Sequence, residues 1–243
     1  MKELAGRAWS ERESFDLSGI GYGQPHWGNT NQPVVAPHPY YFFLAGLVKI
    51  TGARKIVEVG THQGGSARAM AKAFPGPTAG KILTFDITPY GSQMFAGHPA
   101  IRAYNCDANS EAGFNHVIEQ FGEPRIDLVF IDGMHDFWFT LMSVLIYGEI
   151  CAARYIVLDD ISLNPEMEKL WALLRSRYGT KNVIDATQVD ETIRRPGVIA
   201  PGFGVIRSVP AENSWDNKWP DIGLRSLRGL PRIKRRLKPK RAR

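Results

Sequence analysis

Cysteine is scarce in this sequence. Cys106 and Cys151 are the only two in 243 residues, too few for a disulfide scaffold, and no Cys-x-x-Cys or Cys/His cluster offers a zinc site. Long apolar runs are missing as well. The longest, Tyr40 to Val48, falls far below the roughly 20 residues that a membrane span requires. No basic segment followed by an apolar stretch and a cleavage site opens the chain, which gives the expectation of a cytoplasmic protein of enzyme size. Neither Gly-x-Gly-x-x-Gly nor Gly-Lys-Ser/Thr occurs, so the dinucleotide fingerprint and the phosphate loop are both excluded.

Acidic residues are absent from one end. Leu224 to Arg243 carries ten Lys or Arg and no Asp or Glu, and the remainder holds 20 basic against 24 acidic residues, a net charge of −4. The overall +6 therefore belongs to a tail and not to a face of the fold. Such a tail can touch phosphates or anionic lipid heads, or stand as a solvated end. What remains is ordinary: 44% hydrophobic and 22% charged residues describe one globular core and exclude disorder and fibrous repeats.

Three regions are expected. Residues 1–38 are rich in Gly, Pro, Asn and His and read as an irregular segment, in which Tyr22, His26 and Trp27, within 19–33, could form a lid. Residues 39–210 form the main domain, and 211–243 a basic, flexible tail. In the main domain, Pro39–Thr51 reads as a helix stopped by Gly52. Short apolar runs then alternate with amphipathic stretches. Strands are expected at Lys55–Val59, Lys81–Asp86, Ile101–Asp107, Ile126–Asp132, Tyr155–Asp160, Asn182–Ala186 and Phe203–Arg207. Helices are expected at Ser66–Phe74, Glu111–Phe121, Asp136–Ile150 and after Asn164-Pro165, where Met167, Leu170, Trp171 and Leu174 share a face. Continuous apolar strands separated by helices predict an α/β fold, a doubly wound and mostly parallel seven-stranded sheet covered on both faces. The helix from Asp136 is apolar enough to be buried in the core or in a subunit interface, and with the aromatic run Tyr40–Phe43 it would suit a homo-oligomer.

In such sheets a ligand sits beyond the carboxyl ends of the strands, where strand order reverses. The first strand runs into Glu58-Val-Gly-Thr-His-Gln-Gly-Gly-Ser66. Gly60 and Gly64 permit a tight turn with close backbone approach, Ser66 starts the next helix, and Thr61 and Gly65 complete the turn. Glu58 would repel a pyrophosphate and instead suits a cationic ligand. Asp86, ending the second strand, is placed to accept both hydroxyls of a ribose, and Asp107, ending the third, to accept from an exocyclic amine. This pattern resembles the cofactor site of class I S-adenosylmethionine-dependent methyltransferases over residues 50–207. The resemblance implies that Glu58, Gly60, Thr61, Gly64, Gly65, Ser66, Asp86, Asp107 and Asp132 bind that cofactor.

A second constellation follows the fourth and fifth strands: Asp132-Gly-Met-His135 and Asp159-Asp160. Neighbouring strands lie about 4.8 Å apart, so the three carboxylates would meet and repel one another unless a hard divalent cation, magnesium by default, bound between them. The alternative is a helix cap at Asp132 and backbone partners for Asp160. Imidazole gains and loses a proton near neutrality, so His135 could take the proton of a substrate hydroxyl; the alternative is that it merely orients Asp159. The combination is similar to the metal-dependent O-methyltransferases of the macrocin type and their cephalosporin-hydroxylase-like relatives. That resemblance implies a metal on Asp132, Asp159 and Asp160, His135 as general base, and a small-molecule or glycoside hydroxyl as acceptor. Ala152-Ala153-Arg154 replaces the Gly-Gly usual before the fifth strand.

Other readings fit less well. A nucleic-acid methyltransferase acting on base amines would carry Asn/Asp-Pro-Pro-Tyr/Phe where Asp132-Gly-Met-His135 stands, and its phosphate binding would rest on the tail alone. A non-catalytic binding or scaffold protein would be expected to lose His135 or the acids. An iron hydroxylase wants two histidines and a carboxylate, and His135 is the only histidine beside the acids. His26, His38, His62, His98 and His116 show no ligand spacing, and Arg194-Arg195 could meet an anionic substrate.

Overall fold

The computed structural model describes residues 1–20, 37–88, 94–193 and 202–208. The expected lid residues Tyr22, His26 and Trp27, the pair Arg194-Arg195 and the basic tail lie outside the described residues.

Seven strands form one sheet: β1 Lys55–Val59, β2 Lys81–Asp86, β3 Ile101–Asn105, β4 Leu128–Ile131, β5 Tyr155–Asp159, β6 Val183–Asp185 and β7 Phe203–Arg207. Their order is β3-β2-β1-β4-β5-β7-β6. The first five run parallel, while β7 is antiparallel to both β5 and β6. This is the expected doubly wound sheet. The third, fourth and fifth strands stop one or two residues before Asp107, Asp132 and Asp160, so these acids stand on the loops that leave the sheet.

Side-chain alternation splits the core in two. Ile56, Ile82, Leu128, Phe130, Val157 and Val205 face one layer of helices. That layer holds α1 (Lys2–Ser10), α2 (Pro39–Thr51) and α3 (Gly65–Lys72). Val57, Leu83, Val129, Ile131, Ile156 and Ile206 face the other. It holds α4 (Glu111–Phe121), α5 (Phe137–Ser143) with a π-helical continuation over Val144–Ile150, and α6 (Pro165–Tyr178). The α6 face is the expected one, with Met167, Leu170 and Leu174 buried.

Two expectations are corrected. The first 38 residues are not irregular throughout: α1 buries Ala5, Ala8 and Trp9, and a 3-10 turn follows at Glu11–Ser14. The backbone of α1 approaches α2 so closely that a Cβ at Gly46 would overlap the Ala8 carbonyl. The helix expected over Asp136–Ile150 widens into a π-helix from Val144, with Cys151 N donating to Ile146 O at 2.8 Å. The aromatic run and the apolar helix pack largely inside the fold. Tyr40, Tyr41 and Phe43 are buried within the chain, as are Leu141, Val144 and Leu145. Among the described residues no helix is long and apolar enough to cross a membrane.

Candidate active site

The strand order reverses at β1, which has β2 on one side and β4 on the other. The loops leaving the carboxyl ends of β1, β2, β4 and β5 therefore surround one crevice. Gly60 opens the turn after β1. At φ +100° it lies in the region that favours glycine, and a Cβ there would overlap the Asp132 carbonyl. Hydrogen bonds from Gly60 N to Phe85 O (2.9 Å) and from Asp132 N to Val59 O (2.8 Å) pin the turn to β2 and the end of β4 to β1. Gly64 caps α3 in the left-handed conformation and Gly65 begins it, so the helix starts one residue before Ser66.

Beneath the turn lies a polar layer. Glu58 is fully buried, and its Oε1 accepts from Ser66 Oγ at 2.5 Å. Thr61 and Thr84, both buried, share a hydroxyl hydrogen bond of 2.7 Å. Burial pushes the Glu58 carboxyl up to about 8, against the hydrogen bonds of Ser66 and Thr84, and the charges of Asp132 and Asp86 push the same way. The side chains of Glu58, Thr61 and Ser66 thus brace the turn from below.

Asp86 stands at the end of β2. Its Oδ2 accepts from His62 N at 2.8 Å, and its Oδ1 accepts from Thr88 N (2.8 Å) and Thr88 Oγ1 (2.7 Å). These bonds hold His62 at φ +42° within the glycine turn. Asp107 is exposed and accepts from Asn109 N at 2.8 Å through Oδ1. It lies one strand further from β1 than Asp86 does.

Across the crevice, His135 Nε2 lies 3.7 Å from Asp132 Oδ1 and 3.5 Å from Asp160 Oδ2. Both distances are longer than good hydrogen bonds, so the ring tip stands between two carboxylates without being locked to either. Asp160 is 5% exposed and takes φ +54°, an uncommon conformation for a non-glycine residue that turns the chain sharply after β5. Asp159, 3% exposed, closes β5 opposite Phe203. Since Ile131 pairs with Leu158, continuing the register sets Asp132 beside Asp159. Among the described residues, no three His, Cys, Asp or Glu side chains group so as to hold a metal ion. The expected donors, Asp132, Asp159 and Asp160, are all hard carboxylate oxygens.

The supports of this site were only partly legible in the sequence, which marks Asn164 as a helix cap but not its bond to His135. Asp136 caps α5, accepting from Phe139 N at 2.8 Å. Asn164 donates to the His135 carbonyl at 2.8 Å. The spacing of capping residues before helices marks both positions, but the bond from Asn164 to His135 crosses 29 residues of sequence. Among the described residues, the exposed large hydrophobic side chains are Ile87, Met134, Trp138 and Leu163, all on segments that leave β2, β4 and β5.

The family model described as O-methyltransferase matches residues 29–157, just over half of the chain. No curated protein matches the sequence. One similar solved structure is the O-methyltransferase TomG from Streptomyces achromogenes, involved in tomaymycin synthesis and solved in complex with SAM. It shares 17% identity and a TM-score of 0.50, over 85% of this chain and 90% of that one. Another is the MycE methyltransferase from the mycinamycin biosynthetic pathway, in complex with Mg, SAH and mycinamycin VI. It also shares 17% identity and a TM-score of 0.50, over 84% of this chain and 57% of that one. The present chain thus spans little more than half the length of MycE. At such identities the likeness bears on the fold alone.

Proposed function

The chain belongs to the O-methyltransferase family, and from that premise we propose that it moves a methyl group from S-adenosylmethionine to a hydroxyl of a small molecule or glycoside. The observation that carries this reading is the position of His135 Nε2 between Asp132 and Asp160, across the crevice from the glycine turn. A hydroxyl reaching this nitrogen would meet a proton acceptor flanked by negative charge.

The cofactor, when bound, supplies a methyl group on a positively charged sulfur. The backbone of Gly60, Gly64 and Gly65 offers it a close approach, and Asp86 offers carboxylate oxygens to its ribose. His135 Nε2 would take the hydroxyl proton as the oxygen lone pair formed the new bond to the methyl carbon. The bound cofactor would release the methyl group as its carbon–sulfur bond broke, the electron pair staying on a sulfur that becomes neutral. Orientation supplies most of what such a transfer needs. Flanking carboxylates also stabilise the imidazolium that forms.

A divalent cation, by default magnesium, is part of the proposal. The donor chemistry of Asp132, Asp159 and Asp160 suits it, and there it would supply positive charge for a developing alkoxide. The apolar side chains of Met134, Trp138 and Leu163 favour an acceptor with a hydrophobic face beside its hydroxyl.

The test is methyl transfer from labelled S-adenosylmethionine to a panel of hydroxylated macrolides, phenols and sugars. Label should appear on an acceptor oxygen, and His135→Ala should bind S-adenosylhomocysteine as the unaltered protein does while losing turnover. Full turnover by His135→Ala on the acceptor found would refute the base assignment.

A further inference from the structure

The residues that open α6 do more than start a helix. Asn164 is its N-cap, and its Oδ1 accepts from Met167 N at 2.9 Å. The other end of the same amide, Nδ2, donates to the His135 carbonyl oxygen at 2.8 Å. Two positions on, Glu166 Oε2 accepts from Phe137 N at 3.1 Å. The segment after β5 is thereby tied to the segment after β4 at two points. These same segments bring His135 Nε2 to 3.5 Å from Asp160 Oδ2.

The loop that carries His135 is held at its ends by Asp132 N, which donates to Val59 O at 2.8 Å, and by Asp136, which caps α5. Between them Gly133 contributes no side chain, and Met134 is 63% exposed. On the far side, Thr140 Oγ1 donates to the Met134 carbonyl at 3.2 Å, so Asn164 and Thr140 grip consecutive peptide carbonyls of the loop. Capping alone does not call for an amide: serine and aspartate cap about as well as asparagine, but neither has an N–H to donate to the carbonyl.

The geometry points to Asn164 as a positioning residue for His135, setting where the imidazole stands between Asp132 and Asp160 without touching substrate. The inference rests on the proposed role of His135. Misplacement of a catalytic group by about 1 Å can cost on the order of 100-fold in rate, so the loss of one tether is expected to be measurable.

Asn164→Ser keeps the cap and removes the tether. Its melting temperature and its affinity for S-adenosylhomocysteine should match those of the unaltered protein, its KM for S-adenosylmethionine should hold, and its kcat should fall about tenfold or more. In a His135→Ala background the same substitution should cost nothing further, because the group it positions is gone. If the serine variant folds poorly, Asn164→Asp is read by the same criteria. An unchanged kcat in the folded variant would overturn the inference, as would an equal loss in the presence and absence of His135. Normal turnover by His135→Ala alone would instead overturn the base assignment beneath it.

Discussion

Ser66 on α3 donates a 2.5 Å hydrogen bond to Glu58 on β1, so a fully buried carboxyl joins the strand to the helix beneath the glycine turn. Burial pushes that carboxyl from its usual 4.5 up to about 8. The folded protein therefore holds a proton that the unfolded chain releases, between roughly pH 4.5 and 8. Glu58 contributes its full stability below the lower value and loses it as pH rises through the upper one. The melting temperature should fall over this window more steeply for the unaltered protein than for Glu58→Gln, which cannot ionise. Parallel pH profiles in scanning calorimetry would contradict the assignment.

Gly60→Ala should be the most damaging single-methyl change in the turn. The new Cβ would meet the Asp132 backbone, which cannot swing away as a side chain can, and the φ of +100° is strained for any other residue. Destabilisation on the order of 2 kcal/mol or more is expected in urea unfolding. At Gly64 a Cβ would meet the side chains of Phe95 and Met94 instead, so Gly64→Ala should cost less. Equal costs would show that the Asp132 contact is not the limiting one.

Asp160→Ala separates the metal proposal from the rest of the account. If a divalent cation binds at the ends of β4 and β5, EDTA should depress turnover of the unaltered protein and magnesium should restore it. The variant should have low turnover that responds to neither. Turnover of the unaltered protein that ignores EDTA would remove the metal and leave His135 as base.

Much of the fold could be read from the residues, because the buried parallel strands are continuous apolar runs and the caps are explicit: Gly52 ends α2, Ser110 caps α4 and Asn164 caps α6. Helix α1 escaped because Ala5 and Ala8 give a weak apolar stripe, and Ala8 meets α2 through its backbone at Gly46 and not through side-chain bulk. The site was legible as a set of positions but not as orientations. Val57 and Val59 point to one face of the sheet, which sends Glu58 to the other, beneath α3 and Ser66. That alternation was available in the sequence, whereas the tether from Asn164 to His135 depends on how two distant loops pack.

The most direct measurement is a calorimetric titration of S-adenosylhomocysteine into the purified protein, beside Asp86→Ala. Asp86 braces His62 in the glycine turn and is the carboxylate proposed for the ribose. Saturable binding that weakens at least about tenfold in the variant, a loss of about 1.4 kcal/mol, is the predicted result. No binding by the unaltered protein would contradict the cofactor assignment, and with it the proposed methyl transfer.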